Sequence, residues 1–377
     1  MRNFILLFAL ICISIFSSAQ ANSSLAQSRA AHLRHGINLS EWFAQVYDPK
    51  GYTKEHFENW TTAGDIALIK SMGFDHVRLS VNPAPMIRHN RGDELPPEYL
   101  GYLDAAVKMI LDHGLTVIID IHPDSDFKSK LVEHDDFVEQ FSDFWRAIAR
   151  HYASYDPEKV FFEVLNEPEF HDRYRWAGVQ AKLANAIREG APQHTIIAAG
   201  GKYSDIDDLL AMTPLSDPNV IYNFHFYDPH TFTHQGATWG TNYWHFESKL
   251  AYPSNMENAE QVAASEPDAV NRLQILRYGL DHWDANRIAV EISQAAQWAK
   301  HWNVPLTCNE FGVYRKASNP EDRARWLHDV RTTLESDGIG WNIWDFGGRD
   351  NGQGFGVVNG ENGRNTPDEV TLHALGL

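Results

Sequence analysis

Cysteine is scarce in this chain: its 377 residues contain two, Cys12 and Cys308. Cys12 falls in a leader described below, so no internal disulfide can staple the folded protein, and stability must come from a packed core. Positive charge is scarce too. Lys and Arg number 32 against 50 Asp and Glu, a formal net charge of −18. No nucleic acid and no anionic membrane is expected as a partner, because phosphate contacts need a basic face. No Pro- or Ser-rich linker, low-complexity block or short repeat divides the chain into domains. After the leader no segment approaches the roughly 20 apolar residues of a membrane span. A Gly-x-Gly-x-x-Gly turn after a strand is missing, and so is a Gly-x-Ser-x-Gly elbow. The first absence removes the dinucleotide fingerprint and the second leaves a serine triad unsupported.

Apolar and aromatic residues are plentiful: 43% of the chain is hydrophobic, with 12 Trp, 14 Tyr and 20 Phe. That suits a large core, and flat rings also make platforms for flat apolar ligand faces. The chain begins MRNFILLFALICISIFSSAQA. Arg2 is the positive end, Ile5 to Phe16 the apolar run, and Ala19-Gln20-Ala21 a small-residue cleavage site. Residues 1–21 therefore read as a secretory signal peptide, too short in its apolar part to anchor in a bilayer. Residues 22–377 read as one domain, secreted or periplasmic, and a monomer is expected.

Eight short apolar runs recur: His35–Leu39, His76–Val81, Thr116–Ile121, Val160–Leu165, Thr195–Ala199, Val220–Phe226, Leu306–Cys308 and Gly340–Trp344. They are rich in Val, Ile and Phe and nearly continuous in apolarity, as strands buried on both faces should be. Helical patterns alternate with them, at Asp65–Met72, Tyr99–His113, Phe137–His151, Ala177–Glu189, Ala285–Trp302 and Pro320–Ser336. Gly73, Gly114, Gly190 and Gly338 sit where helices should stop. Strand–helix alternation eight times over predicts an α/β fold, a closed (β/α)8 TIM barrel with right-handed crossovers. Tyr227 to Asp268 is the least regular stretch and reads as an elaborated loop over one barrel end.

In such a barrel chemistry sits at the carboxyl ends of the strands. The runs end in Asn38, Arg78, His122, Asn166-Glu167, His225 with Tyr227, Asn309-Glu310 and Trp344-Asp345; only the fifth lacks a polar terminus. Glu167 and Glu310 are central. Two carboxyls facing across a barrel mouth can cleave an acetal, one protonating the leaving oxygen and the other attacking or stabilising the anomeric carbon. The acid must keep its proton near neutral pH, and the attacking group must stay ionised. Arg78 and Tyr227 are suitable donors to the ionised one. Glu163 lies about 13 Å down the strand from Glu167, so it reads as a buried, satisfied carboxylate.

The segments HGINLS, GFDHVRLS, VIIDIH, FFEVLNEP, YNFHFYDP, VPLTCNEFG and GWNIWDF, in this order, resemble glycoside hydrolase family 5, the cellulase family. The resemblance runs from about His35 to Trp344 and on toward a closing helix in Pro367–Leu377, and LNEP with NEFG are its most specific parts. It implies Glu167 as acid/base and Glu310 as nucleophile. It further implies Asn166 as partner of the sugar 2-hydroxyl, Arg78 and Tyr227 as holders of the nucleophile, and His122 and His225 as lining of the cleaved sugar's subsite. Trp344 would be the stacking platform, with Trp341 its rival in register. Retention of anomeric configuration through a glycosyl-enzyme is also implied.

Asn38 and Trp42 read equally as substrate contacts or as rim packing. His234 and Gln235, with their neighbours, read as polar contacts to a sugar chain, and Trp239, Tyr243 and Trp244 as candidate platforms beyond the cleaved bond. His225, Asp228, His230 and His234 lack the helical spacing of a zinc site, so no metal is expected, and no other cofactor. The expected activity is endo-β-1,4-glucanase on β-glucan or a related polysaccharide or oligosaccharide. A β-mannanase, xyloglucanase or mixed-linkage glucanase is the alternative within the same chemistry. A non-catalytic glycan-binding barrel is the alternative from another class. A phosphate-handling barrel is disfavoured, because the stretch after the eighth run carries Asp350 and Glu361 against Arg349.

Overall fold

The computed structural model of the protein describes residues 25–47, 49–87, 93–240, 249–347, 354–361 and 364–377. The leader, Tyr243, Trp244, Arg349 and Asp350 lie outside the described residues.

Eight parallel strands close a barrel in sequence order. They are β1 His35–Phe43, β2 His76–Val81, β3 Thr116–Ile121, β4 Val160–Glu163, β5 Thr195–Ala199, β6 Val220–Phe226, β7 Leu306–Phe311 and β8 Gly340–Ile343. β8 pairs back onto β1, with Gly36 opposite Asn342. Every residue of β2, β3, β6 and β7 is buried, the burial on two faces that their continuous apolarity implied. The (β/α)8 architecture is as expected from the alternation.

Helix ends follow local chemistry. Thr62 and Asp65 form a reciprocal capping box at the start of Ala63–Ser71. Asn319 caps Pro320–Ser336, whose first turn carries Pro320. Gly73, Gly114 and Gly338 are left-handed, with φ of +100°, +73° and +73°, as helix stops require. Gly190 differs: it closes the helix Arg173–Gly190 without a positive φ. A β-carbon there would lie 2.5 Å from the Arg146 carbonyl oxygen, so glycine serves the close crossing onto Asp135–Tyr152.

The stretch expected to be an irregular loop contains the short helix His230–Thr233 and the ten-residue helix Met256–Ser265. The latter packs against Ala269–Leu280, at a crossing where a β-carbon on Gly279 would meet Ala259 Cβ at 2.6 Å. Its buried face is Ala259, Val262 and Ala263. Small residues give a weak apolar stripe, which is why the period did not stand out.

Inside the barrel, side chains form layers. Leu33, just before β1, joins Ile118, Phe161, Ile197 and Ile221 in an apolar cluster that plugs the amino-terminal end. Toward the carboxyl end the inward side chains turn polar: Arg78, Asp120, Glu163, Asn223 and Asn309 are all buried. That polar layer is the floor of the site.

Candidate active site

Side chains alternate sides along a strand, so an adjacent Asn and Glu should not both face inward. Two backbone devices make them do so. In β7 the register against β6 slips between Phe224/Cys308 and His225/Glu310, inserting one residue. Across this bulge both Asn309 and Glu310 turn into the barrel. After β4, Glu167 takes a left-handed φ of 41°, rare for a non-glycine residue. Asn166, tied by its N–H to the Ile121 carbonyl, and Glu167 both reach the mouth.

Arg78 stands between the carboxylates. It binds Glu163 through Nε and Nη2, both at 2.8 Å, and Glu310 Oε1 through Nη1 at 2.7 Å. Asp120 lies 3.0 Å from Nη2. Burial opposes the guanidinium charge, but Asp120, Glu163 and Glu310 outweigh it and hold the Arg78 pKa well above its ordinary value. Glu163, the expected buried carboxylate, is 1% exposed and also accepts from Asn309 Nδ2 at 2.7 Å. Three carboxylates hold this one cation in a dry interior, where an unpaired charge would not survive.

Glu310 accepts a second bond from the Tyr227 hydroxyl at 2.9 Å. Burial and then the Glu310 charge push the Tyr227 pKa well up, so the phenol stays a donor. His225 Nδ1 sits 3.1 Å from Glu167 Oε1 and 3.6 Å from Glu310 Oε2. Burial lowers the His225 pKa to about 4, leaving a neutral ring that donates from Nδ1. An oxygen of Glu167 and an oxygen of Glu310 come within 4.8 Å of each other. So close an approach of the nearest oxygens fits a retaining pair, whose carboxyls stand about 5–5.5 Å apart, better than an inverting pair at about 6.5–9.5 Å. The Glu167 side chain is 30% exposed and the Glu310 side chain 5%. One carboxyl thus faces the cleft, while the other is gripped beneath it.

Aromatic rings surround the pair. Trp344 lies nearly parallel to His122, 5.7 Å between centroids at 21°. Tyr203, 49% exposed, follows β5 and has a left-handed φ of 52°. Its N–H donates to the Pro168 carbonyl at 2.8 Å, which ties Tyr203 to the segment that carries Glu167. Trp239, 46% exposed, stands edge-on to Tyr314 at 4.9 Å.

The family model for cellulase (glycosyl hydrolase family 5) matches residues 40–350. The chain belongs to glycosyl hydrolase family 5. Among curated relatives, Endoglucanase C of Acetivibrio thermocellus is 30% identical over 317 residues, 82% of this chain and 90% of that protein. Cellodextrinase A of Ruminococcus flavefaciens is 27% identical, over 81% of this chain and 82% of its own. Among solved structures, Thermotoga maritima Cel5A in complex with cellobiose superposes with a TM-score of 0.74 at 25% identity, over 92% of this chain and 98% of that one.

Within this family 5 barrel, the structure brings Arg78, His122, Asn166, Glu167, His225, Tyr227, Glu310 and Trp344 to one mouth. Four other sequence candidates are not open to a ligand. Trp341 is fully buried, stacked on His35 at 5.1 Å and bonded to Glu335, so it packs against the helix layer. Trp42 is 2% exposed and donates to the Phe57 carbonyl. Asn38 is fully buried; it ties the Asn309 and Ile343 carbonyls together and accepts from Arg78. Gln235 is fully buried too, bonding Leu250 and Phe232 inside its own loop.

His234 packs edge-on to Tyr227 at 5.2 Å and supports that ring. The histidine-rich stretch does not converge on one point: His230 pairs with Asp228 at 3.4 Å, while His234 Nδ1 meets the Thr233 hydroxyl. Among the described residues, the His and acidic groups that do converge are Glu167, His225 and Glu310 themselves. Sequence reasoning missed Tyr203, which supplies the rim of the fifth strand, and Asp120. The second was findable, since it lies two residues before His122 and therefore on the same face.

Proposed function

We propose that this protein is a retaining endo-β-1,4-glucanase working by double displacement. The observation that carries the reading is the approach of Glu167 to Glu310, with Glu310 gripped by Arg78 and Tyr227. In the first step Glu310 attacks the anomeric carbon while Glu167 protonates the leaving oxygen. In the second, Glu167 takes a proton from water, which releases the sugar from Glu310. Relatives named as endoglucanases favour a glucan over mannan. Initial products followed by NMR on a panel of these polysaccharides test it. β-Anomers released first, with a rapid fall in the viscosity of a soluble cellulose derivative, are expected. α-Anomers would refute the mechanism, and tight glycan binding without turnover would restore the binding-barrel reading.

The same reading takes residues 1–21 as a leader and 22–377 as a single catalytic domain acting outside the cytoplasm. Among the described residues no helix is long and apolar enough to cross a membrane. The exported protein should begin at residue 22 by N-terminal sequencing; an intact Met1 would refute the leader.

The acid must stand on the leaving-group side, so Tyr203 beside Glu167 borders the leaving sugars, and Trp344 stacks on the sugar that becomes bound. Tyr203→Ala should raise KM on soluble glucan about three- to tenfold, the worth of one aromatic contact. An aryl cellobioside, which lacks the leaving sugars, should respond less. Equal effects on both substrates would remove Tyr203 from that side.

A further inference from the structure

Asp120 and His122 face the barrel interior from β3, and with Arg78 and Asn166 they close a ring of hydrogen bonds. Asp120 Oδ2 lies 3.0 Å from Arg78 Nη2 and 2.9 Å from His122 Nδ1. On the far side of the imidazole, His122 Nε2 lies 3.1 Å from Asn166 Nδ2. Asn166 Oδ1 returns to Arg78 Nη2 at 2.9 Å. The direction of every bond follows from chemistry. A guanidinium only donates, so the Asn166 atom facing it is the oxygen, and its amide nitrogen faces His122. An amide nitrogen only donates, so His122 Nε2 must accept. The imidazole proton is therefore on Nδ1 and goes to the Asp120 carboxylate. Burial, which drives the His122 pKa to about 3, keeps the ring neutral and the arrangement consistent.

We infer that Asp120 is a positioning residue for the hydrolytic reaction: by fixing the His122 tautomer it holds the Asn166 amide, and with it the segment that carries Glu167, in one orientation. The one lone pair of His122 Nε2 is thereby taken by the Asn166 amide. The kinetic part of this inference rests on the glucanase reading; the tautomer does not.

Other groups act on Asp120. Arg78 faces it from β2, and Glu163 is its register partner on β4. Lys128 from the helix Ser125–Glu133 and Glu167 add their charges. Ser80, opposite it on β2, offers its hydroxyl to the Asp120 carboxylate and favours the ionised form. Burial lifts the Asp120 pKa to about 6, with Arg78 and Lys128 pulling it back and Glu167 raising it. The ring therefore has its full charge above that value and weakens as pH falls through it.

The test uses the intact enzyme. Long-range proton–nitrogen NMR of the histidines, with His122 assigned by its loss in His122→Asn, should show a neutral Nδ1–H ring in the wild type. Asp120→Ala should lose that tautomer and lower kcat about 10- to 100-fold, with KM within about threefold, as a small misplacement beside the reacting atoms does. Asp120→Asn keeps an oxygen able to accept both bonds. It should retain the tautomer, lose several-fold in kcat, and shift the acid limb of its pH profile to lower pH. An Nε2–H ring in the wild type would overturn the inference. So would an Asp120→Ala enzyme with wild-type kcat, or an Asp120→Asn acid limb that does not move. Should Asp120→Ala fail to fold, the wild-type tautomer and the Asp120→Asn profile still decide it. A wild type that hydrolyses no glycan but shows the Nδ1–H ring would refute the glucanase reading and leave the tautomer standing.

Discussion

Glu310→Gly is expected to lower kcat on glucan on the order of 10⁴-fold or more, as removal of an attacking group does, while the protein still folds. The fold survives because Arg78 does not depend on Glu310. Its Nε and Nη2 remain bonded to Glu163, and Asn38 still accepts from Nη1. What disappears is the one carboxylate that Arg78 and Tyr227 aim at the anomeric carbon. The space left is the size of a small anion, next to a buried cation. Azide added to this variant with a dinitrophenyl β-cellobioside should therefore restore turnover and give the α-glycosyl azide, because attack comes from the face that Glu310 occupied. A β-azide, or a variant retaining wild-type rates on glucan, would mean that Glu310 is not the nucleophile.

The fold was legible because apolarity in buried parallel strands needs no fine detail. Runs such as TVIIDI and VIYNFHF declare two-sided burial by themselves. The rim was legible by position, since a polar residue ending such a run has the barrel mouth to go to. Orientation was less so. Two adjacent residues, Asn309 and Glu310, point the same way only because the register slips there, and no residue type in LTCNEF announces the slip. Glu167 points inward through a positive φ that no propensity favours.

The same blindness to direction explains the misplaced aromatics and amides. Trp341 and Trp344 are three residues apart, and period two puts them on opposite faces; the structure gives the outer one to the helices and the inner one to the mouth. Asn38 and Gln235 are polar and near the rim, yet their amides are consumed by backbone groups that would otherwise be buried unpaired. Tyr203 had no sequence signal, because its exposure depends on two successive left-handed residues, Tyr203 and Ser204.

Glu167→Gly should fail differently from Glu310→Gly, and the difference separates an acid/base from a nucleophile. Loss of a general acid costs about 10²–10⁴-fold where the leaving oxygen needs a proton. Glucan needs one; dinitrophenolate leaves without it. The first step on a dinitrophenyl β-cellobioside should then run near its normal rate, since Glu310, Arg78 and Tyr227 are untouched. The second step, which needs Glu167 to deprotonate water, should become limiting. A burst of dinitrophenol equal to the enzyme, followed by slow turnover with a very low KM, is the expected record. Azide needs no base, so it should relieve the slow step by attacking from the side Glu167 vacates, and its product should be the β-glycosyl azide. Opposite azide anomers from the two variants would report two carboxyls on opposite faces of one sugar. If Glu167→Gly slows dinitrophenyl cellobioside and glucan alike in the first step, the proton does not come from Glu167.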